Sequence, residues 1–372
     1  MAPKGKVLGI IFPNMHDEAI PELTRIRTMA SVPFGGRYRM IDFTLSGFVA
    51  AGIDNICVVP RTSYVSLMDH IGSGKEWDLA RKRGGVKIFP PYGEGGTKTG
   101  KGKIGALESI VGYIESTPCE YVVLSDCDIA CAIDFDDVVK YHIENDADIT
   151  VVYRRETHDP AAKSDNMTLE LDGTRVSEVL INDVSDKEVN SGMWTYVISK
   201  SLLVKTIHSC KSRGLKTFEQ DVLQSSTDIL NIQAYEYKGY ASRITSLKSY
   251  FDANMKLLKK GNISALFRQY PIYTKIRDDA PVRYTIGSIA KNVIEGDGCF
   301  IEGDVCSSVL FRGVKIGKDA VVRNCVLMQD TVIEDGAWIE NVICDKAVVI
   351  TKGEKVIGSS SHPVYIGKKA RV

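Results

Sequence analysis

Leu8-Gly9-Ile10-Ile11 runs into Phe12-Pro-Asn-Met-His-Asp-Glu-Ala-Ile-Pro-Glu-Leu-Thr24, a strand-like apolar run followed by a polar turn. In an α/β fold that holds nucleotide, the turn after the first strand is glycine-rich, and its backbone N–H groups cradle phosphate. Here the turn has no glycine, a proline without an N–H at Pro13, and two carboxylates at Asp17 and Glu18. A triphosphate is repelled by such a turn. The position of the run predicts a first core strand, and no small-residue cleavage site follows it.

Outward from this stretch, 372 residues suggest two domains. Lys+Arg and Asp+Glu balance at 47 each, so no bulk field draws the chain to nucleic acid or to a membrane surface. A hydrophobic fraction of 44% with no long apolar run excludes a helical membrane span and describes an ordinary globular chain. The nine cysteines are odd in number, scattered, and lack metal-ligand spacing. They predict reduced, mostly buried thiols in a cytoplasmic protein.

Strand-like runs (Ile53–Val59, Tyr121–Leu124, Ile149–Tyr153) alternate with amphipathic stretches (Ala106–Glu115, Phe135–Asn145, Leu202–Cys210). That alternation predicts an α/β domain with a mixed, mostly parallel sheet over residues 1–265, closed by a helix over Phe251–Lys260. A linker is expected over 266–287. From about residue 288 the period changes. Val314, Ala320, Val326, Val332, Trp338, Cys344 and Ile350 recur every six positions, with Val321, Leu327, Ile333 and Ile339 beside them. A hexapeptide repeat predicts a parallel β-helix of the left-handed type over 288–372, in preference to a β-sandwich with coincidental spacing. Its flat faces and open ends predict oligomerisation.

Several ordered strings carry a resemblance: VPFGGRYRMIDFTLS (Val32–Ser46), GIDNICVV (Gly52–Val59), IGSGKEWDLARKRGGVKIFPPY (Ile71–Tyr92), EYVVLSDCDIACAIDF (Glu120–Phe135) and GYASRITSLKSYFDANMKLL (Gly239–Leu258). With the hexapeptide tail they resemble the glucose-1-phosphate adenylyltransferase family, also called ADP-glucose pyrophosphorylase, over almost the whole chain. The resemblance implies a Rossmann-like nucleotidyltransferase domain joined to a left-handed β-helix, a tetramer, and the joining of ATP and glucose 1-phosphate into ADP-glucose and pyrophosphate. In that reaction the sugar phosphate attacks the α-phosphorus. Charge builds on the phosphate oxygens, so cations and a divalent metal are needed.

Laid on the family's pattern, this chain departs where that chemistry sits. Asn14 and Met15 fall on paired glycines of the phosphate loop, Asp17 on the third, and Ala19 on its arginine. Met29 falls on a lysine. Ser242 falls on another lysine and Arg243 on a metal-binding aspartate. Asp128 falls on the first metal aspartate, with Cys127 one residue away as the alternative. The family's sugar-binding glutamate-lysine pair falls near Ile181-Asn182. Arg27, Gly102 and Asp128 remain as remnants of the substrate and nucleotide site, with Asp128 the one candidate Mg²⁺ ligand.

The resemblance therefore implies the non-catalytic, regulatory-subunit branch of the family, in bacterial glycogen synthesis. Such a chain binds no cofactor alone; Mg²⁺ and ATP are used by a catalytic partner in a hetero-oligomer. Two alternatives stay open: an active adenylyltransferase with Asp126 and Asp128 sharing the metal, and a module holding a sugar phosphate or effector. Lys275, Arg277 and Arg283, in the expected linker, are candidate effector ligands. Gly93–Lys103 (GEGGTKTGKGK) is rich in glycine and lysine but lacks phosphate-loop order, and reads as a surface loop. His362 invites comparison with the histidine base of hexapeptide acyltransferases, but it sits in a serine-rich turn near the chain's end.

Overall fold

The computed structural model describes residues 5–91, 102–157, 166–183, 185 and 187–372. Residues 93–101 of the glycine- and lysine-rich run lie outside these; Gly102 and Lys103 lie within.

The first domain is built on a nine-stranded mixed sheet. From one edge its strands are Gly85–Ile88, Asn55–Val58, Val7–Phe12, Tyr121–Asp126, Glu188–Ser199, Ile149–Thr157, Ile232–Glu236, Arg175–Ile181 and Met167–Asp172. Val7–Phe12 runs parallel to both neighbours, and Glu188–Ser199 runs antiparallel to Tyr121–Asp126, Ile149–Thr157 and, through Ser191 and Thr168, Met167–Asp172. Every residue of Val7–Phe12 is buried. Leu8, Ile10 and Phe12 point into the core on one face, Val7 and Ile11 into the core on the other. A central strand covered on both faces reads as an unbroken apolar run for this reason. The helix expected over Ala106–Glu115 is two helices, Gly102–Ser109 and Val111–Ser116. The closing helix starts earlier than read, at Leu247, where Ser246 caps it by accepting from the Ser249 N–H.

The second domain is a parallel β-helix of the left-handed, hexapeptide-repeat type. All its strand pairings are parallel, and Lys315 lies against Val332 and Val332 against Val349, an advance of 17 residues per coil. The six-residue row read from the sequence therefore slips by one residue per coil. Val332 and Trp338, expected inside, are half-exposed on strand surfaces. The interior holds Leu310, Ile316, Val322, Leu327, Ile333, Ile339, Cys344 and Ile350. The prism also begins earlier than residue 288: Arg283–Tyr284, inside the segment read as linker, pairs with Phe300–Ile301.

One face of the prism packs on the first domain. Val309, Phe311, Val326, Met328 and Ile343 share a core with Val32, Phe34, Met40, Phe43, Tyr250 and Phe251. The VPFGGRYRMIDF segment thus forms the domain junction. Gly36, at φ +84, lies where a Cβ would come within 3.0 Å of Ile294 and 3.4 Å of the Leu310 carbonyl, so glycine there serves both the turn and the close approach. All nine cysteines are free thiols. Among the described residues no helix is long and apolar enough to cross a membrane.

Candidate functional site

The turn after the first strand is braced on itself. Asn14 Oδ1 accepts from the Arg61 N–H at 2.9 Å, and its Nδ2 donates to the Thr62 carbonyl at 3.1 Å and to Asp17 Oδ2 at 2.6 Å. Asp17 Oδ1 in turn accepts from the Met29 N–H at 2.7 Å. Burial pushes the Asp17 carboxyl up to about 6 despite these donors. An N–H taken by an aspartate is not offered to phosphate. Met29 itself, at the lysine position, is fully buried in the domain junction, and Met15 packs against the core beside the cleft. Ala19 ends the short 3₁₀ turn Asp17–Ala19 and carries no charge to the cleft.

Beneath this turn lies a buried charge network. The Tyr121–Asp126 strand ends at Asp126, and Asp128 follows it. Asp126 Oδ2 receives His16 Nε2 at 2.8 Å and Lys103 Nζ at 2.9 Å. Lys103 also pairs with Glu219, whose Oε1 accepts from the Tyr196 hydroxyl at 3.0 Å. Arg243, on the short strand Ala241–Arg243 against Ile129–Cys131, places Nε 2.7 Å from Asp128 Oδ2. Ser242 beside it is buried and pairs with Ala130. Burial works against a charged Asp128, but His16 and Arg243 outweigh it and hold the carboxyl below its ordinary range. Likewise burial disfavours a charged Lys103, yet Asp126 and Glu219 raise it above the ordinary lysine value. Two oxygens remain over: Oδ1 of Asp126 and Oδ1 of Asp128 are buried without a hydrogen-bond partner.

These residues do not fit a divalent cation. Mg²⁺ takes oxygen ligands in an octahedron, whereas Asp128 is paired to a guanidinium and Asp126 to an ammonium. Among the described residues no group of three or more His, Cys, Asp or Glu side chains is placed to hold a metal.

A cavity of about 200 Å³ opens beside the network, lined by Met15, His16, Gly102, Lys103, Ile181, Asn182 and Trp194 among others. Gly102 has φ +83, and a Cβ there would strike the Lys216 carbonyl at 2.3 Å, so its retention has a structural reason apart from any ligand. The cavity joins Met15, Gly102, Ile181 and Asn182, all read from the sequence, with Asp126. Glu219, His16 and Trp194 join them without a sequence signal of their own, and Lys103, at the end of the run read as a surface loop, is 3% exposed. Lys103 and Glu219 are 116 residues apart, and only the fold brings them together.

Two assignments are corrected. Arg27, read as a nucleotide remnant, is 3% exposed and turned away from the cleft; its Nη2 binds both oxygens of Asp345 on the β-helix, at 2.8 and 2.7 Å. Tyr365 completes that junction by donating to the Glu22 carbonyl and to Asp345 Oδ2. Arg283 lies on a prism face over the Phe300 ring, apart from Lys275 and Arg277. His362 is exposed and bonded within its serine turn.

Lys275 and Arg277 do converge, in a second cavity of about 270 Å³ between the domains. Arg37, Arg39, Arg312 and Lys346 join them, against Asp69. Burial, then repulsion from Arg39 and Arg27, brings the Lys346 amine down to about 7. Nε and Nη2 of Arg312 are buried without a hydrogen-bond partner. Four arginines and two lysines thus line one cavity with Asp69.

Comparison with known proteins agrees with this architecture. Residues 20–260 match the nucleotidyl transferase family, and residues 280–362 match the GlmU-like C-terminal hexapeptide family. The chain is 33% identical to the glycogen biosynthesis protein GlgD of Bacillus subtilis over 98% of its own length and 96% of that protein. It is 37% identical to GlgD of Geobacillus stearothermophilus, over 85% of this chain and 83% of the relative. It is 29% identical to the glucose-1-phosphate adenylyltransferase of Bacillus mycoides, over 95% of this chain and all of that one.

Proposed function

Because this chain belongs to the nucleotidyl transferase family, in the group of GlgD proteins and glucose-1-phosphate adenylyltransferases, we propose that it is a catalytically deficient, regulatory subunit of an ADP-glucose pyrophosphorylase in glycogen biosynthesis. The observation that carries this reading is Arg243 seated on Asp128. A guanidinium stands where the chemistry calls for a metal-binding carboxylate, and the carboxylate that remains is committed to it. Removing one oriented charge-stabilising group costs about 100- to 1000-fold in rate. Here the phosphate-loop glycines, the three cationic positions held by Ala19, Met29 and Ser242, and one of the two metal-binding positions, held by Arg243, are all altered.

The junction, by contrast, is kept. The prism, the VPFGGRYRMIDF segment and the Arg27–Asp345 pair hold the domains together. On this reading a catalytic partner binds ATP and Mg²⁺ and does the chemistry, in a cytoplasmic hetero-oligomer of tetramer type. This subunit acts on it through packing. Its cavity of Arg37, Arg39, Lys275, Arg277, Arg312 and Lys346 takes an anionic effector. The test is ADP-glucose formation by the purified chain, by the catalytic subunit, and by their mixture. The expected result is background rate alone and a changed rate or effector response in the mixture. Full activity alone, or no effect on the partner, overturns the proposal.

A further inference from the structure

Trp194 lines the cleft from a strained backbone. It lies in the strand Glu188–Ser199 with φ +51, where pairing with Ile149–Thr157 shifts register between Gly192 and Tyr196. A bulky residue in the left-handed region is strained and persists only where the surroundings over-determine it. The surroundings are those of the site. The Lys103 ammonium lies 4.8 Å from the indole centroid and the Arg243 guanidinium carbon 5.4 Å. The His16 ring meets it edge-on at 5.0 Å. The indole is 5% exposed, and its Nε1 has no hydrogen-bond partner.

Trp194 thus stands at the centre of the charge network, touching both cations that hold Asp126 and Asp128. Its bulk leaves a cavity of about 200 Å³, below the ordinary range of roughly 300–1,000 Å³ for small-molecule sites. Around that remnant are groups suited to hydroxyls: Asn182, Thr217 and Gln220 line it, and the unpartnered Oδ1 of Asp126 is beside it.

We propose that Trp194 is the specificity-determining residue that closes this cleft to a hexose, occupying the space a sugar ring would take. The identity of the excluded ligand rests on the reading under Proposed function; the obstruction rests on the geometry. Glycine adopts φ +51 without strain. Trp194→Gly therefore relaxes the backbone while returning the volume of the indole, and leaves carboxylate oxygens open to hydroxyl donors. Trp194→Phe keeps most of the obstruction and serves as the control.

Calorimetric titration of the full chain with glucose, and separately with glucose 1-phosphate, tests this. The parent chain and W194F are expected to bind neither. W194G is expected to bind at least one of them about tenfold or more tighter than the parent. Glucose alone would locate a site for the ring; preference for glucose 1-phosphate would add its phosphate; either supports the proposal. Equal binding by parent and W194G, or no gain in a W194G chain that unfolds cooperatively, overturns it. Crystals of the parent chain soaked in glucose 1-phosphate give a check independent of any variant. A sugar beside Trp194 with the indole unmoved overturns the proposal, and a cleft still filled by the indole supports it. None of these measurements uses the catalytic partner, so failure here is distinct from failure of the regulatory role.

Discussion

Arg243 donates from Nε to Oδ2 of Asp128 at 2.7 Å, in surroundings where the aspartate is 1% exposed. Breaking a buried pair from one side leaves an uncompensated charge, at a cost of about 3–5 kcal/mol. Arg243→Ala is expected to destabilise the chain by that order in urea unfolding. Asp128→Asn combined with Arg243→Ala is expected to recover part of the loss, because no lone charge remains. Additive single losses in the double-mutant cycle would show that the two residues are not coupled.

Charge inversion at the same position gives a second test. Arg243→Asp places a third carboxylate near Asp126 and Asp128. The variant is expected to be less stable than the parent without divalent ions and to gain melting temperature with Mg²⁺ or Mn²⁺. The parent, whose carboxylates are already paired with cations, is expected to shift by less. Equal shifts in parent and variant would refute this account of the site.

Arg27 and Asp345 link the domains through a buried bidentate pair. Asp345→Asn leaves a guanidinium buried without its counter-charge and is expected to cost about 3–5 kcal/mol. Arg27→Lys retains the charge but loses the planar fork, so a smaller loss is expected. If the pair couples the domains, unfolding of Asp345→Asn followed by tryptophan fluorescence should separate into two phases. A single cooperative transition unchanged in midpoint would rule the coupling out.

Lys346 carries a pH dependence. Its amine is brought down to about 7 by burial and by Arg39 and Arg27, with Asp345 opposing. Its unfolded value is about 10.4. Between the two, the unfolded chain binds the extra proton, so this group makes stability rise with pH, by at most about 1.4 kcal/mol per pH unit. Below about 7 the whole penalty is present. Lys346→Met is expected to flatten that rise in melts between pH 7 and 10. A sulfate titration, whose ligand keeps its charge across this range, should tighten as pH falls through 7, where the amine is charged; the opposite trend would show that Lys346 does not hold the anion.

The coil length is testable by neighbours on one strand. Ile333 points inward and is fully buried, while Val332 is half-exposed. Ile333→Ala is expected to cost about 2–5 kcal/mol, and Val332→Ala under about 1. Equal costs would contradict the 17-residue coil.

The apolar runs of Val7–Phe12 and Tyr121–Leu124 determined the central strands, since burial on both faces leaves no other composition. The hexapeptide row determined the prism. It erred at Val332 and Trp338, because a corner one residue short changes register without changing composition. Local strings also determined which positions depart from the family's pattern, from Asn14 to Arg243. What those departures do was decided only in three dimensions. Arg27 looks like any cleft arginine until Asp345, 318 residues away, is brought against it. Glu219 has no local signal, and Lys103 ends a run that reads as a surface loop yet is 3% exposed. Trp194 is an ordinary strand aromatic until its φ of +51 turns it among Lys103, Arg243 and His16. Periodicity and turn chemistry act between near neighbours and are written in order along the chain. Ion pairing and occlusion act between residues that are close only after folding, and so the sequence shows a turn without glycine at Phe12–Thr24, while the tertiary structure shows Asn14 and Asp17 bracing it.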